Sequence, residues 1–303
     1  MTFKRKHFKS ERGQAIVLTV IGLVALLGMA AAVLDVGSWY RADRQLQTNM
    51  DAAALAAAQA LPTDPATADA LAHEYADKNG GGLDTVDIKK TVVDNDTVKV
   101  TGSKPAPGFF SQVFGIDSVT VGASATARVG ALATARGSSP IAVHVGHPDL
   151  QCDPAPCSED PTVLDLSKTG PGAFHLINID GSTGGTSTQT LADWIEFGYE
   201  GEMGQDFFSD PGNKLNSGPV RDALDAVIGK ELLFPVYDIV QGSGANLEYN
   251  VIGWAGFVIT GYDVHANQNL IFGHFTEVVW DGSFPTTPGG GSNFGAWAVS
   301  LTG

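Results

Sequence analysis

The most uniform stretch of the chain comes early. From Ala15 to Leu34 (AIVLTVIGLVALLGMAAAVL) no residue is charged, and Thr19 alone carries a side-chain hydrogen-bonding group. As a helix these 20 residues are about 30 Å long, the thickness of a bilayer's hydrocarbon core. A helix of a globular core would keep a polar face, and this run has none. The pattern then changes. In residues 38–61 (SWYRADRQLQTNMDAAALAAAQAL) Leu46, Met50, Ala53, Ala57 and Leu61 recur at spacings of three and four. That predicts a helix with one narrow apolar stripe, ended by Pro62.

Further on, Asp64-Pro65 supplies an N-cap and a first-turn proline for a helix to about Asp77, stopped by Gly80-Gly81-Gly82. The β-branched runs Val86–Val93 and Thr97–Thr101 flank Asp94-Asn95-Asp96 and predict a hairpin. Phe109–Phe114 predicts a short helical turn that buries its aromatics, and Ser118–Val129 a third strand. GALATARGSSP at 130–140 is small and polar and is expected to be a linker. Beyond it come a strand and turn at His175–Gly181 and two amphipathic helices, LADWIEFGY and GPVRDALDAVIG. Four runs rich in aromatic and β-branched residues follow, LLFPVYDIV, NLEYNVIGWAGFVITGYDV, LIFGHFTEVVW and FGAWAVSL. The expected organisation is a basic segment 1–13, a membrane helix 14–34, an external α/β unit 35–129, the linker 130–140 and a β-rich α+β domain 141–303.

Charge sets the expected orientation of the span. Residues 1–13 carry Lys4, Arg5, Lys6, Lys9 and Arg12 against Glu11, a net of +4, which leaves −19 on the rest of a chain whose formal charge is −15. Positive-inside bias puts the N-terminus in the cytoplasm and the bulk of the chain outside, with Trp39 and Tyr40 at the outer interface. A body this acidic repels nucleic acid. Ala30-Ala31-Ala32 could present a signal-peptidase site, but the apolar run is longer than an h-region of about 7–15 residues and continues into a helical pattern. A retained anchor is therefore expected. Gly13 stands where a type IV prepilin would be cut, yet the fifth residue after it is Leu18, where such a signal carries glutamate.

The string ERGQAIVLTVIGLVALLGMAAAVLDVGSWYRADRQLQTNMDAAALAAAQAL resembles the N-terminal domain of Tad/Flp pilus-assembly proteins, the TadG-like and TadE-like group. The matching elements are Arg12-Gly13, Asp35-Val36-Gly37, Tyr40, Arg44-Gln45-Leu46-Gln47 and Asp51-Ala52-Ala53-Ala54-Leu55-Ala56. The resemblance implies a bitopic membrane accessory protein of a tight-adherence pilus system, not an enzyme. Its partners would be pilus-assembly membrane proteins, pilin-like subunits and the lipid bilayer. The implied fold is α+β, with a transmembrane helix running into a pilin-like external unit. Asp35, Gly37, Tyr40, Leu46 and Asp51 are the positions it offers for partner contact. GFFSQVFGIDSVTVGASATA resembles the segment that closes the external unit in Tad-like proteins, and PVYDIVQGSGANLEYNVIGWAGFVITGY the tail of long ones.

No catalytic constellation is complete. His144, His147 and Asp149 stand close in AVHVGHPDL, but the segment reads as strand into turn rather than as a metalloprotease helix. Gly242-Ser243-Gly244 lacks nucleophile-elbow spacing. The GGG runs at 80–82 and 289–291 lack phosphate-loop context, and Asp94-Asn95-Asp96 lacks the terminal glutamate of a calcium loop. Cys152 and Cys157 could form a disulfide or half of a metal site. With no second ligand pair in the sequence, a disulfide outside the cytoplasm fits better. No cofactor and no metal are expected. A membrane-anchored binding module or adhesin is the alternative to a pilus role.

Overall fold

A computed structural model describes residues 12–152, 155–168, 174–202, 206–243, 246–265, 268–284 and 293–302. The basic residues Lys4, Arg5, Lys6 and Lys9, the GGG run at 289–291 and Gly244 lie outside the described residues.

One continuous helix, α1 (Arg12–Ala58), carries both patterns read from the sequence. Its 47 residues make a rod of about 70 Å. Over the apolar run the large side chains are exposed, among them Ile16, Leu23, Leu27 and Val33. From Leu46 onward the stripe Leu46, Met50, Ala53, Ala57 and Leu61 is fully buried. The helix thus changes environment along its length, from all-round exposure to one buried face.

That buried face lies on a compact unit. Helix α2 (Pro65–Lys78) starts at Asp64, whose side chain accepts from the Thr67 N–H, and packs Ala68, Ala72 and Ala76 inward. Strands β1 (Leu83–Lys89) and β2 (Thr97–Pro107) form the antiparallel hairpin, and β2 pairs with β3 (Ser118–Ala131) along its full length. In the hairpin connection the buried Asp96 carboxylate accepts the N–H groups of Thr91, Val92 and Val93. Helix and sheet approach closely at Gly102, where an added Cβ would fall 2.4 Å from the Gly82 carbonyl oxygen and 2.6 Å from the Met50 sulfur.

The segment expected to be a linker is structured. Gly130 and Ala131 end β3, Leu132 is buried, and β4 (Thr134–Ser138) follows. Its small residues serve close packing: the Phe284 ring lies where a Cβ on Gly130 would go, at 2.8 Å.

The remaining strands are β5 (Ile141–His144), β6 (Thr162–Asp165), β7 (Phe174–Asn178), β8 (Tyr199–Glu202), β9 (Asp206–Ser209), β10 (Glu231–Gln241), β11 (Glu248–His265), β12 (Gln268–Thr276), β13 (Val278–Val279), β14 (Gly282–Ser283) and β15 (Ala296–Leu301). Helices α3 (Thr188–Phe197) and α4 (Gly218–Val227) complete the chain. The pairings β10–β5, β5–β7, β7–β9, β9–β11 and β11–β10 close a ring. Against it α3 and α4 bury Leu191, Ile195, Val220, Leu224 and Val227, together with Phe234 and Phe257. The whole is a long apolar helix followed by a β-rich α+β region.

The two regions are not successive in the sheet. β15 pairs antiparallel with β3, and β13 joins β15, so the sheet under α1 runs β1-β2-β3-β15-β13. Trp297 of β15 lies in the core under α1, beside Leu61 and Val129 in the same cluster.

Candidate functional site

The boundary between the two halves of α1 is marked by Asp35, one residue past the apolar run. A lone carboxylate there must find donors, and it finds them in the connection between β2 and β3. Pro107 pairs with Ser118, and the Gly108 N–H donates to the Asp117 carbonyl at 3.0 Å, pinching off a short loop. Within it Ser111–Phe114 form a 3-10 turn with no side-chain cap of its own. Asp35 supplies that cap from another element. Its carboxylate accepts from the N–H of Phe109 at 2.9 Å, of Phe110 at 3.1 and 3.0 Å, and of Ser111. A carboxylate on the open amides of a turn satisfies them and complements their dipoles. Asp35 is 2% exposed.

The loop does not bury its aromatics, contrary to the sequence expectation. Phe109 is 67% exposed, Val113 84% and Phe114 80%, with Phe110 and Ile116 also open. The reason is geometric: the loop turns its backbone amides to α1, leaving Phe109, Val113 and Ile116 without a surface to pack on, while Phe110 and Phe114 only edge a cleft against the helix. Between loop and helix lies a cleft of about 140 Å³ lined by Gly28, Ala31, Ala32, Trp39, Phe110 and Phe114.

The other positions offered by the resemblance divide. Leu46 is in the core of its own unit. Asp51 accepts from Gln47 Nε2 at 2.8 Å, and the same amide group donates to the Ser124 carbonyl at 3.0 Å, so this pair ties α1 to β3. Gly37 and Tyr40 are open: nothing lies within 4 Å of a Cβ built on Gly37, and Tyr40 is 59% exposed. The Arg44 guanidinium sits 5.1 Å from the Tyr40 ring centroid. Val33, Val36, Gly37, Tyr40 and Arg44 follow helical spacing and form one exposed stripe.

In the second region the histidines serve local structure. His144 Nδ1 accepts the Gly146 N–H at 2.9 Å. His147 is buried, with Nδ1 accepting from the Asp149 N–H at 3.2 Å and Nε2 at 3.2 Å from Thr162 Oγ1. His175 packs on Tyr237 and Tyr249 at 5.9 and 5.3 Å. Burial pushes the Tyr237 hydroxyl well above its ordinary range. Among the described residues, no group of three or more His, Cys, Asp or Glu converges as a metal site. Cys152 and Cys157 are joined by a disulfide.

Sequence reasoning missed the partners of Asp35, because they are backbone amides 74 to 76 residues away. One signal was present: an isolated acid at the edge of an apolar helix, and a distant loop, GFFSQVFGI, with no charge.

No curated protein and no solved structure gives a significant match to this chain. Residues 13–60, which comprise nearly all of α1, match the family model described as putative Flp pilus-assembly TadE/G-like.

Proposed function

We propose that the protein is a bitopic membrane accessory component of a Tad/Flp-type pilus-assembly system, working by anchorage and protein contact rather than catalysis. The observation that carries this reading is the coincidence of the Tad match with α1. The matched segment is both the apolar, exposed half of the helix and the half packed on the external unit. The basic N-terminal segment supports a cytoplasmic N-terminus with residues from Asp35 onward outside. One long helix laid across an antiparallel sheet supports a pilin-like reading of the first unit, and the Cys152–Cys157 disulfide is in keeping with an extracytoplasmic position.

Partners would meet the exposed stripe Val36, Gly37 and Tyr40, because Asp35, Leu46 and Asp51 are engaged within the chain. The test is a photoreactive phenylalanine at position 40 in cells that make pili. Cross-links to pilus-assembly membrane proteins or pilin-like subunits are expected. Cross-links confined to unrelated proteins, with the same probe at an exposed α4 position as control, would contradict the reading.

A further inference from the structure

The 108–117 loop descends beside the apolar half of α1. Phe110 and Phe114 line one cleft with Gly28 and Ala32, and Gly28 is six residues inside the apolar run from its end at Leu34. At helical rise that is about 9 Å below the polar boundary.

Between Gly108 and Ile116 most of the loop's donors are taken up by Asp35 or by the loop itself, and the charged Asp117 stands exposed at its far end. The N–H groups of Phe109, Phe110 and Ser111 go to Asp35. Those of Gly108, Val113, Gly115 and Ile116 go to carbonyls of the same loop. Gln112 Nε2 donates to the Gly108 carbonyl at 2.8 Å, and Ser111 Oγ to the Ile116 carbonyl at 2.9 Å. Five large apolar side chains, meanwhile, stay exposed, Phe110 and Phe114 among them although they edge the cleft on α1. A loop in water has no need to satisfy its amides internally, whereas a segment at membrane depth does. Val36, exposed on α1, lines the same cleft as Phe110 and Phe114, so the patch adjoins the apolar surface of the helix.

We propose that this loop is a second membrane contact. Phe109, Phe110, Val113, Phe114 and Ile116 enter the leaflet on the domain's side of the bilayer, and Asp35 pins the loop against α1 at that depth. The proposal rests on reading α1 as a membrane span. A single helix leaves tilt and rotation free, while a helix plus an inserted loop fixes how the external unit stands on the membrane.

The test uses the full-length wild-type chain in phospholipid nanodiscs containing a lipid with a photoreactive group on its acyl chain. Cross-linked peptides are mapped by mass spectrometry. Adducts on both the 15–34 segment and residues 109–116 are expected, with none on α4. Adducts on 15–34 alone overturn the inserted loop and leave the anchor standing. Adducts on neither segment overturn the anchor and the loop together.

Discussion

Both carboxylate oxygens of Asp35 accept the backbone N–H of Phe110, at 3.1 and 3.0 Å, across 75 residues of sequence. The contact joins the apolar half of α1 to the loop between β2 and β3. Asp35→Asn keeps the size but weakens the acceptor and introduces donors facing donors. Amide exchange at Phe109, Phe110 and Ser111 is then expected to speed up on the order of tenfold, with the α1 core from Met50 to Ala57 unchanged. Hydrogen–deuterium exchange of the protein in nanodiscs reads both. Unchanged exchange in the loop would show that the contact does not hold it.

Leu46 and Tyr40 separate packing from contact. Leu46→Ala removes a side chain that is 2% exposed and is expected to cost about 2–5 kcal/mol. Tyr40→Ala removes an exposed ring and is expected to change stability by less than about 0.5 kcal/mol while reducing piliation. Denaturant unfolding of both variants, with pilus counts in complemented cells, checks the contrast.

The interlocked sheet makes the end of the chain part of the N-terminal unit. Trp297→Ala empties a site 3% exposed beneath α1, with an expected loss of about 3–5 kcal/mol. Because β15 pairs with β3, the variant should loosen exchange protection in β3. Protection lost only in the second region would contradict the shared sheet.

The second region should weaken in acid. Burial lowers the proton affinity of His175, and His144 nearby adds to that effect. Burial lowers His147 as well, with Asp149 partly opposing. Each folded imidazole titrates below its unfolded value of about 6.5, so unfolding takes up protons at low pH. Their contribution is complete above about pH 6.5 and declines as pH falls through the range beneath it. A lower urea midpoint at about pH 5.5 than at about pH 7.5 is expected, with a smaller difference in His147→Gln/His175→Gln. Equal differences in both proteins would exclude these two histidines as the cause.

Much of α1 was legible because its two patterns, uniform apolarity and then a stripe at helical spacing, report directly on surroundings. The Asp64 cap and the hairpin were legible for the same local reasons. Phe109–Phe114 was misread because apolar composition reports which residues favour burial, not whether the fold supplies a surface to bury them. The 130–140 segment looked like a linker because small residues suit loops, and here they suit strands crowded by Phe284. FGAWAVSL reads as a strand, yet nothing local says that its partner is Ser118–Ala131. The Asp35 cap escaped for the same reason, since backbone donors leave no side-chain signature.

Counting surface pili in a clean deletion strain tests a role in pilus assembly through the anchored, Tad-matching helix. Loss of pili with pilin synthesis unchanged, restored by the wild-type chain, is the expected result. Normal piliation in the deletion strain would contradict the account.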